Sequence, residues 1–210
     1  MADHVRGPLP TGSLRELGAF LHVFAIESFM DELAEHAGRD PLEFRLAHLG
    51  DPRARTVLKA AAEAARWEPR VGPSGRGQGL ALPRYACDAG VVVNPEGLRQ
   101  QVEGGIVHGI GRTFHEALRV DSRGAHSRSW ASYPVARFHD VPAIDVVLLN
   151  RPGLPPIGAG ESATPPTAPA IANAIDDAIG IRMRDLPINP HRMRERLIAM
   201  GPDDSARLLR

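Results

Sequence analysis

The chain holds a single cysteine, Cys87, among its 210 residues. One thiol excludes an internal disulfide and any cysteine-clustered zinc or iron–sulfur centre. Charge of one sign is also missing: 25 basic and 25 acidic residues give a formal net charge of zero. No global field therefore argues for nucleic acid or for a membrane surface as partner. No apolar run approaches the length of a membrane span. The first ten residues, through Pro10, lack the apolar core of a secretory leader. A cytoplasmic location is expected, with assembly on the periplasmic side left open. What the chain has in quantity is Gly, 21, and Pro, 19, scattered among patterned segments. That distribution predicts many tight turns rather than disorder, in a chain long enough for one substantial core or two small ones.

Hydrophobic periodicity predicts three helices in the first third. Phe20, Val23, Phe24, Ile26, Met30, Leu33, Ala34 and Ala37 recur at helical spacing, with Glu27, Asp31, Glu32 and Glu35 on the other face and Gly38 as the stop. Asp40-Pro41 and Asp51-Pro52 each pair a cap with a first-turn proline, opening helices to Leu49 and to about Trp67. None carries an obvious reactive group, and residues 1–67 read as an N-terminal helical segment that serves as scaffold. Residues 68–83 read as a Pro/Gly linker leading into a strand at 80–85. Its Gly75-Arg76-Gly77-Gln78-Gly79 stretch has no preceding strand, no P-loop Lys-Ser/Thr and no complete dinucleotide fingerprint, so phosphate binding is not expected there.

Residues 84–190 read as an α+β segment and 191–210 as a C-terminal tail. Ala89 to Val93 is a short β-branched run, ended by a turn at residues 94–97. A helix then runs from Leu98 to Leu118 with Leu98, Val102, Ile106, Ile110 and Phe114 four apart. Gly104, Gly105, Gly109 and Gly111 lie inside it, and each costs a helix about 1 kcal/mol against Ala. Close approach of another backbone or of a large ligand is the physical reason for so many. His108 and His115 share a face with no third ligand in sight, so a metal site is not expected. Residues 121–129 read as a polar loop, and 130–138 and 144–149 as strands or extended segments. The expected fold class is α+β, a mixed or antiparallel sheet with packed helices.

Residues 150–180 draw the most attention. A loop dense in Pro and Gly holds one carboxylate, Glu161, just after Gly158-Ala159-Gly160, and an Ala-rich helix follows, with Pro169 near its start and Gly180 past its end. On local sequence a carboxylate there serves as a base, a helix cap or a solvated surface group.

Three blocks in order carry a family resemblance. They are Phe24-Ala25-Ile26-Glu27-Ser28-Phe29-Met30-Asp31-Glu32-Leu33; Asp88-Ala89-Gly90-Val91-Val92-Val93-Asn94-Pro95 with Gln101-Val102-Glu103-Gly104-Gly105; and Gly158-Ala159-Gly160-Glu161 with Ala170-Ile171-Ala172-Asn173-Ala174. Together they resemble the C-terminal part of the molybdopterin-binding large subunit of the xanthine dehydrogenase/aldehyde oxidase family, in its isoquinoline 1-oxidoreductase or nicotinate dehydrogenase form. The resemblance spans nearly the whole chain, from Gly7 to His191.

That resemblance implies a molybdenum hydroxylase fragment that binds molybdopterin cytosine dinucleotide, or a close relative of it, without a protein ligand to the metal. It implies Glu161 as the catalytic base. It places Gln101, with Gly104, Gly105 and Gly160, beside the cofactor, and Arg15 in an Arg-x-x-Gly loop near the active site. The implied substrate class is an aldehyde or N-heteroaromatic carbon, hydroxylated with water. The implied partners are the remainder of the large subunit, a [2Fe–2S] small subunit that takes the electrons, and a cytochrome c subunit in some assemblies. Two departures stand out. The family's large subunit is several times longer, and its members place a strand pair where Arg84-Tyr85 joins Asp88 directly through Ala86-Cys87. A truncated, non-catalytic remnant or interaction module is the alternative expectation.

Overall fold

The computed structural model describes residues 12, 14–69, 74–82 and 88–199. As expected, the architecture is α+β, but the helices dominate. In order they are α1 (Ala19–His36), α2 (Pro41–His48), α3 (Pro52–Ala64), α4 (Pro95–Phe114), α5 (Thr167–Ile179) and α6 (Pro190–Ala199). The sheet found among the described residues is one antiparallel hairpin, β1 (Val120–Asp121) with β2 (Gly124–Ala125), Val120 opposite Ala125. It lies in the stretch expected to be loop.

Side-chain caps explain the starts of α2, α3, α4 and α6. Asp40 accepts from the N–H groups of Leu42 at 2.9 Å and Glu43 at 3.0 Å, and Asp51 from that of Arg53 at 2.8 Å. Asn94 accepts from the Gly97 N–H at 2.9 Å, so 94–97 is the first turn of α4 rather than a separate turn. Asn189 accepts from the Arg192 N–H at 2.9 Å and opens α6, a helix at the start of the expected tail. Gly180, left-handed at φ 64°, ends α5.

The extended segments did not become a sheet. Residues 144–149 alternate in burial as a strand does, yet their main-chain groups pair with no other strand among the described residues. The guanidinium of Arg99 donates to the Val146 carbonyl at 3.0 Å. Residues 130–138 form turns and extended chain ending in a single 3₁₀ turn, Phe138–Asp140. Residues 88–92 are held irregularly against the 150–157 loop, for example by Ile157 N–H to Ala89 C=O at 2.9 Å. A β-branched run becomes a strand only with a partner at ladder distance. The expected strand at 80–85 and the Ala86-Cys87 junction lie largely outside the described residues.

The core has two apolar clusters. Phe20, Phe24, Ala168, Ala172, Ile181, Met183 and Ile188 join α1 to α5 and the following segment, while Leu46, Leu58 and Leu80 join α2, α3 and the 74–82 segment. That segment runs along α5, and a Cβ on Gly79 would sit 1.9 Å from the Ala170 carbonyl oxygen. Gly77 and Gly79 therefore serve backbone approach.

The burial of α1 departs from the expected stripe. Glu27 and Asp31, expected on the solvent face, are buried, while Ile26 and Phe29 stand more than half exposed. Two arginines explain the inversion. Arg45 donates from Nε to Glu27 at 3.0 Å and from Nη1 to Asp31 at 3.3 Å, and Arg182 donates from Nη2 to the other Asp31 oxygen at 3.0 Å. Arg182 also holds Asn173 and Asp176 of α5. Buried charges stay where partners satisfy them.

Candidate functional site

α4 is the platform. Gln101, Gly105, His108, Gly109 and Arg112 recur at three- and four-residue spacing along its length. The side-chain amide of Gln101 donates to the Gly160 carbonyl at 2.9 Å. A Cβ on Gly105 would lie 3.1 Å from that of Ala163, and one on Gly109 would lie 2.6 Å from that of Thr167 and 3.0 Å from the Thr164 oxygen. These two glycines admit the loop that carries Glu161. Gly104 and Gly160 are different, because a Cβ on either would meet nothing within 4 Å.

Opposite substitution effects follow. Gly109→Ala is expected to destabilise by about 1–3 kcal/mol through overpacking. Gly104→Ala is expected to stabilise by up to about 1 kcal/mol through helix propensity. Urea unfolding midpoints measure both, and a shared sign would contradict the close-approach reading of Gly109.

Glu161 is exposed, and its carboxylate oxygen Oε1 accepts from the main-chain N–H of Glu16 at 3.4 Å, long for a hydrogen bond. Sequence reasoning had no signal for that neighbour. Glu16 and Leu17 form a turn before α1 at φ 72° and 43°, left-handed values uncommon for residues with a side chain. Glu16 is 8% exposed, and its Oε1 is buried without a hydrogen-bond partner. Burial first, then the charge of Glu161, push the Glu16 carboxyl up to about 7, against the pull of Arg15 and Arg112.

Arg112 is also 8% exposed, with Nε and Nη2 buried and unpartnered and its guanidinium carbon 5.2 Å from the Phe20 ring centroid. One turn back on α4, His108 titrates below its ordinary value, through burial first and then the charges of Arg112 and Arg15, with Glu116 opposing. Thr164 adds a buried hydroxyl without a partner. The geometry thus brings together Gln101, Gly105, Gly160 and Glu161. Arg15, half-buried, enters through its charge on Glu16 and His108. Glu16, Arg112, His108 and Thr164 complete the cluster; the spacing of His108 and Arg112 on α4 was the available sign.

The same loop has hydrogen-bonding capacity to spare. The N–H groups of Gly158, Ala159, Gly160 and Glu161 donate to no described residue. Beneath it, a cavity of about 620 Å³ lined by Val102, Ile106, Ile110, Phe114, Pro166 and Ile171 is almost wholly apolar. Among the described residues no group of three or more His, Cys, Asp and Glu is placed to hold a metal ion, and no helix is long and apolar enough to cross a membrane.

Residues 84–142, which include the whole platform helix, match the family model of the molybdopterin cofactor-binding domain. The chain is 39% identical to a nicotinate dehydrogenase subunit of Pseudomonas putida over 92% of its own length. The chain belongs to the xanthine dehydrogenase/aldehyde oxidase family of molybdopterin-binding subunits. A second member, the beta subunit of the isoquinoline 1-oxidoreductase of Brevundimonas diminuta, is 30% identical over 84% of the chain. Among solved structures, quinoline 2-oxidoreductase of Pseudomonas putida 86 superposes on 55% of the chain with a TM-score of 0.50 and 29% identity. The chain spans 20% of the nicotinate dehydrogenase subunit, 26% of the isoquinoline oxidoreductase subunit and 16% of the quinoline oxidoreductase chain. The alignment with the first runs over 238 residues, more than the 210 here, so that relative has residues without a counterpart in this chain.

Proposed function

We propose that this chain forms one wall of a molybdenum hydroxylase active site, with Glu161 as its general base. The observation that carries the reading is the bond from Gln101 to Gly160, which fastens the carboxylate-bearing loop to the Gly-rich platform helix. The residues present suit a long anionic cofactor of the molybdopterin cytosine dinucleotide type. Gln101, the free N–H groups of residues 158–161 and the open faces of Gly104 and Gly160 would hold it, as backbone donors hold phosphate elsewhere. Gly105 sets the loop's approach, and Arg15 supplies positive charge at the rim. When bound, the cofactor supplies two-electron oxidation at molybdenum. Glu161 holds the proton side of that reaction. Its Oε1 is engaged by the Glu16 N–H, which leaves Oε2 to accept a proton from the attacking water-derived oxygen.

The substrate class in this reading is an N-heteroaromatic carbon or an aldehyde, since relatives are named for nicotinate, isoquinoline and quinoline and also for aldehydes. Partners in this reading are the rest of the large subunit and an iron–sulfur subunit, with a cytochrome c subunit as a further acceptor. One observation favours a second reading, a non-catalytic remnant: residues 144–149 are extended yet pair with no strand among the described residues, in a chain shorter than its own alignment. Molybdenum analysis separates the two. One molybdenum per assembly is expected after co-expression with the remaining parts of the enzyme, and none in the chain purified alone. An intact assembly without molybdenum would sink the first reading.

A further inference from the structure

The turn at residues 14–18 holds features that a cofactor wall does not require. Two consecutive non-glycine residues sit in left-handed backbone, a conformation that persists only where the surroundings over-determine it. A carboxyl and a guanidinium, each buried to more than nine-tenths, face each other's field with unpartnered atoms on both sides: Oε1 of Glu16, and Nε and Nη2 of Arg112. Groups left unpaired in that way are costly unless their charge states adjust. The main-chain N–H of the same Glu16 points to the exposed Glu161. One residue is therefore tied to the candidate base by its backbone, while its side chain lies in the field of a buried cation.

We infer that Glu16 is a positioning residue for Glu161: its main-chain N–H aims the carboxylate, and its buried carboxyl, unpartnered at Oε1, loses its own proton more readily when Glu161 takes one. This inference rests on the general-base reading of Glu161. The physical reason is reciprocal linkage between two carboxylates. While Glu161 is ionised, burial and its charge keep the Glu16 proton bound near neutral pH. Once Glu161 is neutralised that repulsion ends while burial still opposes ionisation, so the pull of Arg112 and Arg15 lowers the midpoint of Glu16 and makes its proton easier to lose. A proton arriving on Glu161 thus favours the loss of one from Glu16 to water, which offsets the negative charge that Glu161 gives up. The charged neighbours of the Glu16 carboxyl are Glu161 on the loop, Arg15 on the turn and Arg112 on α4; His108 on α4 lies in the field of the same two arginines.

The test is carboxyl ¹³C NMR of the full-length chain with labelled glutamate, titrated from acid to mildly alkaline pH without any cofactor. Glu16 is expected to titrate at about 7. Glu161→Gln, at an exposed position, should lower the Glu16 midpoint and shift the Glu16 amide proton. Arg112→Met should raise the midpoint. A Glu16 midpoint in the ordinary carboxyl range, or one unmoved by Glu161→Gln, overturns the inference even if Arg112→Met fails to fold. Failure of the base reading looks different. Coupled titrations together with full turnover in a Glu161→Gln assembly would reject the base, and with it the hand-over. Uncoupled titrations with lost turnover would reject the hand-over alone.

Discussion

Glu161→Gln is expected to leave the assembled enzyme folded and loaded with molybdenum while turnover falls by ~10² to 10⁴, the usual range of a general-base contribution. Gln keeps the size of the side chain, and its amide oxygen still accepts the Glu16 N–H. It cannot take up a proton as a carboxylate does. The side chain is exposed, and the local bond from the Thr164 N–H to the Glu161 C=O is a main-chain bond that the substitution does not touch. Stability should therefore change by about 0.5 kcal/mol or less. A capping or surface role predicts the reverse, a small stability change with normal turnover. Turnover and metal content measured side by side decide the matter, and near-normal turnover at full occupancy removes Glu161 as the base.

The largest stability effect is expected at Asp31→Ala. Asp31 is fully buried between Arg45 and Arg182, and its loss leaves both guanidinium groups short of a counter-charge. Breaking a buried pair from one side costs about 3–5 kcal/mol. Glu27 and Asp176 remain to the arginines, which favours the lower end. At about 2–4 °C per kcal/mol for a chain of this size, the melting temperature should fall by at least ~6 °C. Arg184→Ala is the control, since its bond to Glu32 is an exposed pair worth about 1 kcal/mol or less. Equal losses in the two variants would mean that the buried network carries no special share of stability.

Legibility in the sequence followed the range of the interactions. Asp40-Pro41 and Asp51-Pro52 announced their helices because cap and proline act within one turn. Asn94-Pro95 and Asn189-Pro190 carry the same signature, yet the first reads equally well as a turn and the second precedes a polar stretch without an apolar stripe. Glu27 and Asp31 looked solvent-facing because Arg45 and Arg182, which bury them, stand elsewhere in the chain. The Gly pattern of α4 correctly signalled close approach, and the neighbour at Gly105 and Gly109 proved to be the Glu161 loop. Glu161 and Gln101 were singled out through the family resemblance and not through spacing, and what the structure adds is the bond from Gln101 to the Glu161 loop. Glu16 had no local signal, since its burial depends on a helix nearly a hundred residues away.

The charged seam between α1 and α5 also works as a key. Apolar faces tolerate sliding, because one methyl contact replaces another, but directional bonds do not. Asp31 on α1 meets Arg182, which grips Asn173 and Asp176 on α5, and Asn173 reaches back to the Glu27 carbonyl at 3.4 Å and across to that of Leu80 at 2.8 Å. A slip of one helical turn, about 5.4 Å, would break all of them together. The two helices are thus indexed to a single register, like teeth in a rack. Glu16 stands just ahead of α1 and Glu161 just ahead of α5, so the same indexing fixes the spacing of the two carboxylates from a lock at the far side of the helix pair.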